Sequence, residues 1–131
     1  MILVDSSVWI DFLRALPTPQ TDRLKLLLLD DEVLLGDLVL AEVLQGCLTP
    51  NEFNETLRVL GRLTLIDIVG HEVAVEAARN YGLLRARGIT VRKTIDTLIA
   101  TRCIVNNIRL LHSDRDFLPF EAHLGLKCIA C

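Results

Sequence analysis

Aromatic side chains are scarce in this 131-residue chain: one Trp, one Tyr and four Phe. Hydrophobic residues nevertheless make up 51% of it, with Leu, Ile and Val dominating. That combination fits a parallel sheet covered by helices better than a β-sandwich. No long apolar run is present. The longest stretch, residues 26–29, falls far short of the ~18 residues that would span a bilayer. No basic segment followed by an apolar one opens the chain, so no secretory signal is expected and the cytoplasm is the expected location. The four cysteines exclude little by themselves. Only Cys128 and Cys131 have suggestive spacing, and no second His or Cys pair stands where a zinc site needs one. A redox pair normally opens a helix after a strand, whereas this one ends the chain, so both are expected to be ordinary strand and terminus residues. Repeats, low-complexity tracts and linkers are missing too, and the length fits one domain, residues 1–131.

Charge is present but unevenly spread. The net charge is −3. Residues 1–71 carry 5 basic and 11 acidic side chains, and residues 72–131 carry 9 basic and 6 acidic. The second half, with Arg85, Arg87, Arg92, Lys93, Arg102, Arg109 and Arg115, is the face better suited to phosphates.

The patterning predicts strands alternating with helices, hence an α/β domain with a mostly parallel sheet. Residues 2–4 read as a buried strand and 7–15 as a helix with Val8, Trp9, Phe12 and Leu13 near helical spacing. Pro17 and Pro19 mark a loop. Thr21 or Asp22 is the expected cap of a helix to Leu29, with Asp30, Asp31 and Glu32 ending it. A second strand, 33–35, leads to Asp37 as N-cap of a helix that stops near Gly46. Pro50 and Asn51 open another helix, to about Gly61. A strand over 63–68 and a long helix over 71–87, closed by Gly88, follow. Thr94 is the expected cap of a helix to about Asn106. Leu110 and Leu111 form a fourth strand, residues 117–124 a turn or helix, and residues 126–129 a last strand.

Four acids stand out against this frame. Asp5 directly follows the first strand and Asp114 follows the fourth. In an open α/β sheet ligands bind beyond the carboxyl ends of the strands, so these two meet if their strands are neighbours. Each alone also reads as a cap or turn residue. Glu42 lies among apolar neighbours, either facing solvent or looking into a pocket. Asp96, near the start of a largely apolar helix, either complements the helix dipole or joins the same pocket. Converging carboxylates cannot all ionise without a cation. Mg²⁺ or Mn²⁺, hard ions that take oxygen ligands and phosphate oxygens, would resolve the repulsion. The lack of a His cluster argues against zinc, and His112, a lone His at a strand end, reads as structural.

With these motifs in hand, the chain resembles the PIN domain and, within it, the VapC-type ribonuclease toxins of bacterial toxin–antitoxin pairs. Four segments carry the likeness: ILVDSSVWID (2–11), LAEVLQG (40–46), VRKTIDTLIA (91–100) and LLHSDRDF (110–117). Each is weak alone; all four in this order and at this spacing are specific. The resemblance implies a three-layer α/β/α fold with a central, mostly parallel sheet. It implies a metal pocket formed by Asp5, Glu42, Asp96 and Asp114, with Asp116 as an auxiliary ligand and Ser6 placing a water or a carboxylate. It implies a Mg²⁺- or Mn²⁺-dependent endoribonuclease, usually a homodimer. A small antitoxin would hold it inactive through an apolar groove, here expected near Trp9 and Phe12 with Trp9, Phe12 and Leu13 as anchors, and with Leu24, Leu27 and Leu28 serving the groove, the dimer or the core. On this reading Arg92, Lys93 and Arg115 steady RNA phosphates, and single-stranded or looped RNA is the expected substrate.

Four rivals remain. A structure-specific DNA nuclease of the same broad fold usually carries more acids and extra DNA-gripping elements, for which this length leaves little room. A phospho-receiver module needs an acidic pair beside its phosphorylated Asp and a late-strand Lys. Ser6 and Ser7 supply no such pair, and Lys127 is expected inside the last strand. Ser7 likewise replaces the second Asp of a haloacid-dehalogenase-like phosphatase. A non-catalytic partner that kept the fold would not need the intact acidic set.

Overall fold

In the computed structural model, which describes residues 1–30 and 32–131, a parallel four-stranded sheet has the order β3-β2-β1-β4. Its strands are β1 (Ile2–Val4), β2 (Val33–Gly36), β3 (Thr64–Ile66) and β4 (Arg109–Leu111). The helices are α1 (Ser6–Leu13), α2 (Pro19–Leu29), α3 (Asp37–Gln45), α4 (Pro50–Leu60), α5 (Gly70–Ala86), α6 (Thr94–Asn106) and α7 (Leu118–Leu124), the last preceded by a 3₁₀ turn at Arg115–Phe117. The α/β class expected from the patterning is the one observed. Strands β1 and β2 are buried along their whole length, as a sheet covered on both faces requires.

Strands β1 and β4 are direct neighbours, with Val4 opposite Leu111. The ladder runs one step further, because the Asp5 N–H donates to the Leu111 carbonyl at 2.9 Å. The carboxyl ends of β1 and β4 therefore open side by side, where the strand order switches direction, and this is where an α/β sheet receives ligands. Helix α6 runs back to the start of β4, so its own N-terminus lies at that same end of the sheet.

Several boundaries differ from expectation. Thr18, not Thr21 or Asp22, caps α2; Thr21 is the third helical residue, and the two threonines form a reciprocal capping box. Pro19 is consequently the first helical residue, where its missing N–H costs nothing. Asp31, read with Asp30 and Glu32 as the end of that helix, lies outside the described residues. Gly36 occupies the cap of α3, and the Asp37 carboxylate instead takes the Leu38 N–H at 2.8 Å and the Ile68 N–H at 2.9 Å, tying the end of β3 to α3. Lys93 rather than Thr94 precedes α6, so Asp96 is its third residue. The strand expected over 126–129 reduces to a single parallel bridge between Leu110 and Cys128, flanked by hydrogen bonds from Leu110 to Lys127 and from Ile129 to Leu110. Arg102 of α6 donates to the Ile68 and Val69 carbonyls, satisfying backbone acceptors in the turn before α5.

Candidate metal centre

Asp5 caps α1. Its Oδ2 accepts the Ser7 N–H at 3.1 Å and the Ser7 hydroxyl at 2.6 Å. The same hydroxyl accepts the Ser113 N–H at 3.2 Å. Ser7 thus joins the acid after β1 to the loop that carries Asp114. The other oxygen, Asp5 Oδ1, is buried with no partner. Burial drives this carboxyl above its ordinary range. The Ser7 and Ser6 bonds work against that rise, and the Asp114 charge adds to it.

Asp96 is 3% exposed, and its Oδ2 is buried without a hydrogen bond. Burial first, then the charges of Asp5, Asp114 and Glu42, lift its pKa to about 6 despite Lys93 nearby. A carboxylate whose only task was to complement the helix dipole would sit in water, or bond to a free helix N–H. Leaving a buried oxygen unpaired is costly, so the dipole explanation does not account for Asp96.

Asp114 is fixed by its own turn. Its Oδ1 accepts the Asp116 N–H at 2.9 Å, and its N–H donates to His112 Nδ1 at 3.2 Å. Burial alone would raise its pKa; the Asp116 N–H and Lys93 outweigh that and hold it below the usual carboxylate value. Glu42, half-buried on α3, accepts from the Ser6 hydroxyl at 3.2 Å, so Ser6 links α1 to α3. Burial and then the Asp5 charge raise its pKa. These mutual influences put all four predicted acids within electrostatic reach of one another. The tightest group is narrower: one oxygen each from Asp96, Asp114 and Asp116 lies within 4.8 Å of the others, with Asp5 and Glu42 outside that set. Asp116, expected as an auxiliary, is thus a full member of the inner cluster.

The donor set fits a hard divalent cation. Every candidate ligand is a carboxylate oxygen, two of the buried oxygens have no partner, and burial, with neighbouring acid charges adding to it, raises the pKa of Asp5, Glu42 and Asp96.

The basic residues expected to meet phosphates are partly engaged. Arg92 pairs with Asp116 at 2.9 Å, and Lys93 Nζ lies 3.4 Å from Asp114 and 3.7 Å from Asp96. Arg115 is exposed on the adjacent turn. The sequence reading missed Ser7, although a Ser two residues after an acid at a helix start is the pattern of a cap. It also missed the company of Cys128, whose thiol lies with His112 and Glu121 so that one possible ligand atom from each falls within 4.8 Å. Burial keeps His112 neutral, and its Nδ1 accepts the Asp114 N–H. The ring proton is therefore on Nε2, which makes that nitrogen a donor rather than a ligand. His112 also packs on Phe117 at 5.0 Å, consistent with the structural part expected of it.

The groove expected near Trp9 needs correcting. Trp9 is 1% exposed and packs edge-on against Phe12, and Leu24 and Leu27 are likewise buried in the core, so Trp9 cannot anchor a partner. Leu13, expected as an anchor beside Trp9 and Phe12, does line an apolar groove: about 250 Å³ between α1, α3 and α4, lined also by Ile10, Val43, Cys47 and Val59 with Glu52 and Glu55 among the lining.

Comparison with known proteins agrees with this architecture. The family model described as PIN domain matches residues 2–121. VapC ribonuclease Mb1587 of Mycobacterium bovis and ribonuclease VapC11 of Mycobacterium tuberculosis are each 29% identical over 119 residues, covering 89% of both chains. Among solved structures, VapBC2 from Rickettsia felis bound to a DNA fragment from their promoter superposes with a TM-score of 0.78 at 21% identity, over 98% of each chain. FitAcB from Neisseria gonorrhoeae gives 0.73 at 22%, over 99% of this chain and 97% of that one. At these identities the structural likeness speaks for the fold.

Proposed function

The chain belongs to the PIN-domain family, and from that premise we propose that it is a divalent-metal-dependent endoribonuclease, the toxin of a VapBC-like toxin–antitoxin pair. The observation that carries the reading is the oxygen cluster of Asp96, Asp114 and Asp116 beside the unpartnered buried oxygens of Asp5 and Asp96. The names of its mycobacterial relatives support RNA as the substrate.

In this reading Asp5, Asp96 and Asp114 hold Mg²⁺ or Mn²⁺, with Asp116 beside them. The bound ion supplies a polarised phosphoryl oxygen and a water of lowered pKa. Glu42, held by Ser6, orients the attacking water or ligates a second ion. Attack at phosphorus with departure of the 3′-oxygen leaves 5′-phosphate and 3′-hydroxyl ends. Arg92, Lys93 and Arg115 steady the flanking phosphates of single-stranded or looped RNA. Residues 1–131 act as one PIN domain, as a homodimer in the cytoplasm. Among the described residues no helix is long and apolar enough to cross a membrane. An amphipathic segment of the antitoxin occupies the groove at Ile10, Leu13, Val43 and Val59.

The test compares the parent protein, freed of antitoxin, with Asp5→Asn and Asp96→Asn on structured RNA, in Mg²⁺ and in EDTA. Each substitution should lower cleavage by roughly two orders of magnitude or more, and EDTA should abolish it. Cleavage that persists in EDTA, or in both variants, rules the reading out. A flapped DNA substrate cut faster than RNA would favour the DNA-nuclease alternative.

A further inference from the structure

Among the described residues Lys93 alone contacts two acids of the cluster. Its Nζ stands 3.4 Å from Asp114 Oδ2 and 3.7 Å from Asp96 Oδ2. Asp96 Oδ2 has no hydrogen bond from any group. The Lys93 side chain is 52% exposed, against 5% for Asp96, so the ammonium sits at the mouth of the pocket with open water behind it. Both distances exceed the ~2.7–2.9 Å of a tight charge-assisted hydrogen bond, so the hold is loose. Helix stability does not explain the residue. Lys93 occupies the N-cap of α6 with no side-chain cap bond, and a cation there opposes the helix dipole. Its placement makes sense only toward the acids. Arg92 is different: it pairs with the outer Asp116 and is 79% exposed.

We propose that Lys93 is a tethered place-holder cation: it partners Asp96 and Asp114 while no divalent ion is bound, yields both carboxylates when one is, and then meets a phosphate oxygen of the RNA. This rests on the reading of the acids as a metal site. One pair of oxygens cannot serve both cations, because the lone pairs that now face the ammonium are those a divalent ion needs, and the two positive charges repel. The lysine stem is suited to the exchange, being long, flexible and tipped with a point charge that pairs as readily with phosphate as with carboxylate. The pocket's net charge thereby changes less on metal loading than the acids alone would require, and the freed ammonium appears only when the site is ready for substrate.

The test is a calorimetric Mn²⁺ titration of the full-length parent, Lys93→Gln, Lys93→Arg and the exposed control Lys25→Gln. Removing a competing, partly exposed pair should tighten Mn²⁺ binding by roughly three- to tenfold in Lys93→Gln, with Lys93→Arg and Lys25→Gln close to the parent. Without metal, Lys93→Gln should melt below the parent; at saturating Mn²⁺ the gap should close. At saturating Mn²⁺ the same variant should raise KM for RNA more than it lowers kcat. Mn²⁺ binding that Lys93→Gln leaves unchanged or weakens overturns the place-holder role alone, and an unchanged KM overturns the phosphate contact. Failure of both the parent and Lys93→Gln to bind Mn²⁺ overturns the metal site itself.

Discussion

Asp96 has a carboxyl that prefers its proton up to about pH 6, and this sets two opposite pH dependences. Its folded pKa lies above the ordinary 3.8, so the folded state binds the proton more tightly than the unfolded one. In EDTA, thermal stability should therefore fall as pH rises from about 4 through 6, with Asp5 and Glu42 shifted in the same direction. A divalent ion needs the carboxylate, so Mn²⁺ affinity should rise through the same window and level off above it. Melting curves at pH 4.5, 6 and 7.5, with and without Mn²⁺, check both signs; Asp96→Asn should flatten each trend. Ser7 makes a second case at this scale. It donates to Asp5 and accepts from Ser113, so Ser7→Ala should cost about 1–2 kcal/mol of stability. It should also weaken Mn²⁺ binding, because Asp5 loses the shorter of the two Ser7 bonds that hold its rotamer, keeping only the Ser7 N–H. Urea melts and calorimetry read these, and a variant equal to the parent in both would show the bridge to be idle.

At the scale of elements, Asp5 was legible because a strand end followed by an acid is a local pattern; Asp114, expected directly after the fourth strand, stands beyond His112 and Ser113 because β4 ends at Leu111, and the adjacency of β1 and β4 was the one long-range condition both needed. Glu42 and Asp96 were legible only as polar residues in apolar helices. Which way they face depends on how α3 and α6 dock, something periodicity does not encode. The same limit explains Trp9: its spacing marks an apolar helix face, but only packing decides that Trp9 is core while Leu13 of that same face lines the groove together with Ile10. The strand expected over 126–129 failed because β4 offers pairing to one short stretch near Leu110. One element junction bears on Glu42. At Gly36, where β2 passes into α3, an added Cβ would stand 2.7 Å from Ile68 Cδ1 and 2.9 Å from its Cγ1, and Ile68 is fully buried. Gly36→Ala should then destabilise the protein by about 1–3 kcal/mol and shift α3. A lower urea midpoint together with a loss of cleavage is the expected result; full stability would mean that Ile68 can turn aside.

For the whole molecule the proposed RNA substrate raises the question of how a chain of net charge −3 would approach a polyanion. The acids gather at the carboxyl end of the sheet, and Arg92, Lys93 and Arg115 fringe them. Without a divalent ion Arg92 and Lys93 are taken up by carboxylates, so the mouth of the pocket is close to neutral at best and RNA has little to hold. Metal loading should convert it to a phosphate-binding edge. RNA affinity, measured by anisotropy of a labelled single strand, should therefore be weak in EDTA and stronger in Ca²⁺, which fills oxygen sites while slowing turnover. In Ca²⁺ the affinity should fall with salt on a log–log line whose slope is about −0.7 for each phosphate neutralised, hence about −2 if Arg92, Lys93 and Arg115 all engage. Arg115→Gln, at an exposed position away from the carboxylates' hydrogen bonds, should reduce that slope by about 0.7 and leave Mn²⁺ affinity as it is. An unaltered slope in that variant would place the RNA elsewhere on the surface, toward the remaining arginines of α5.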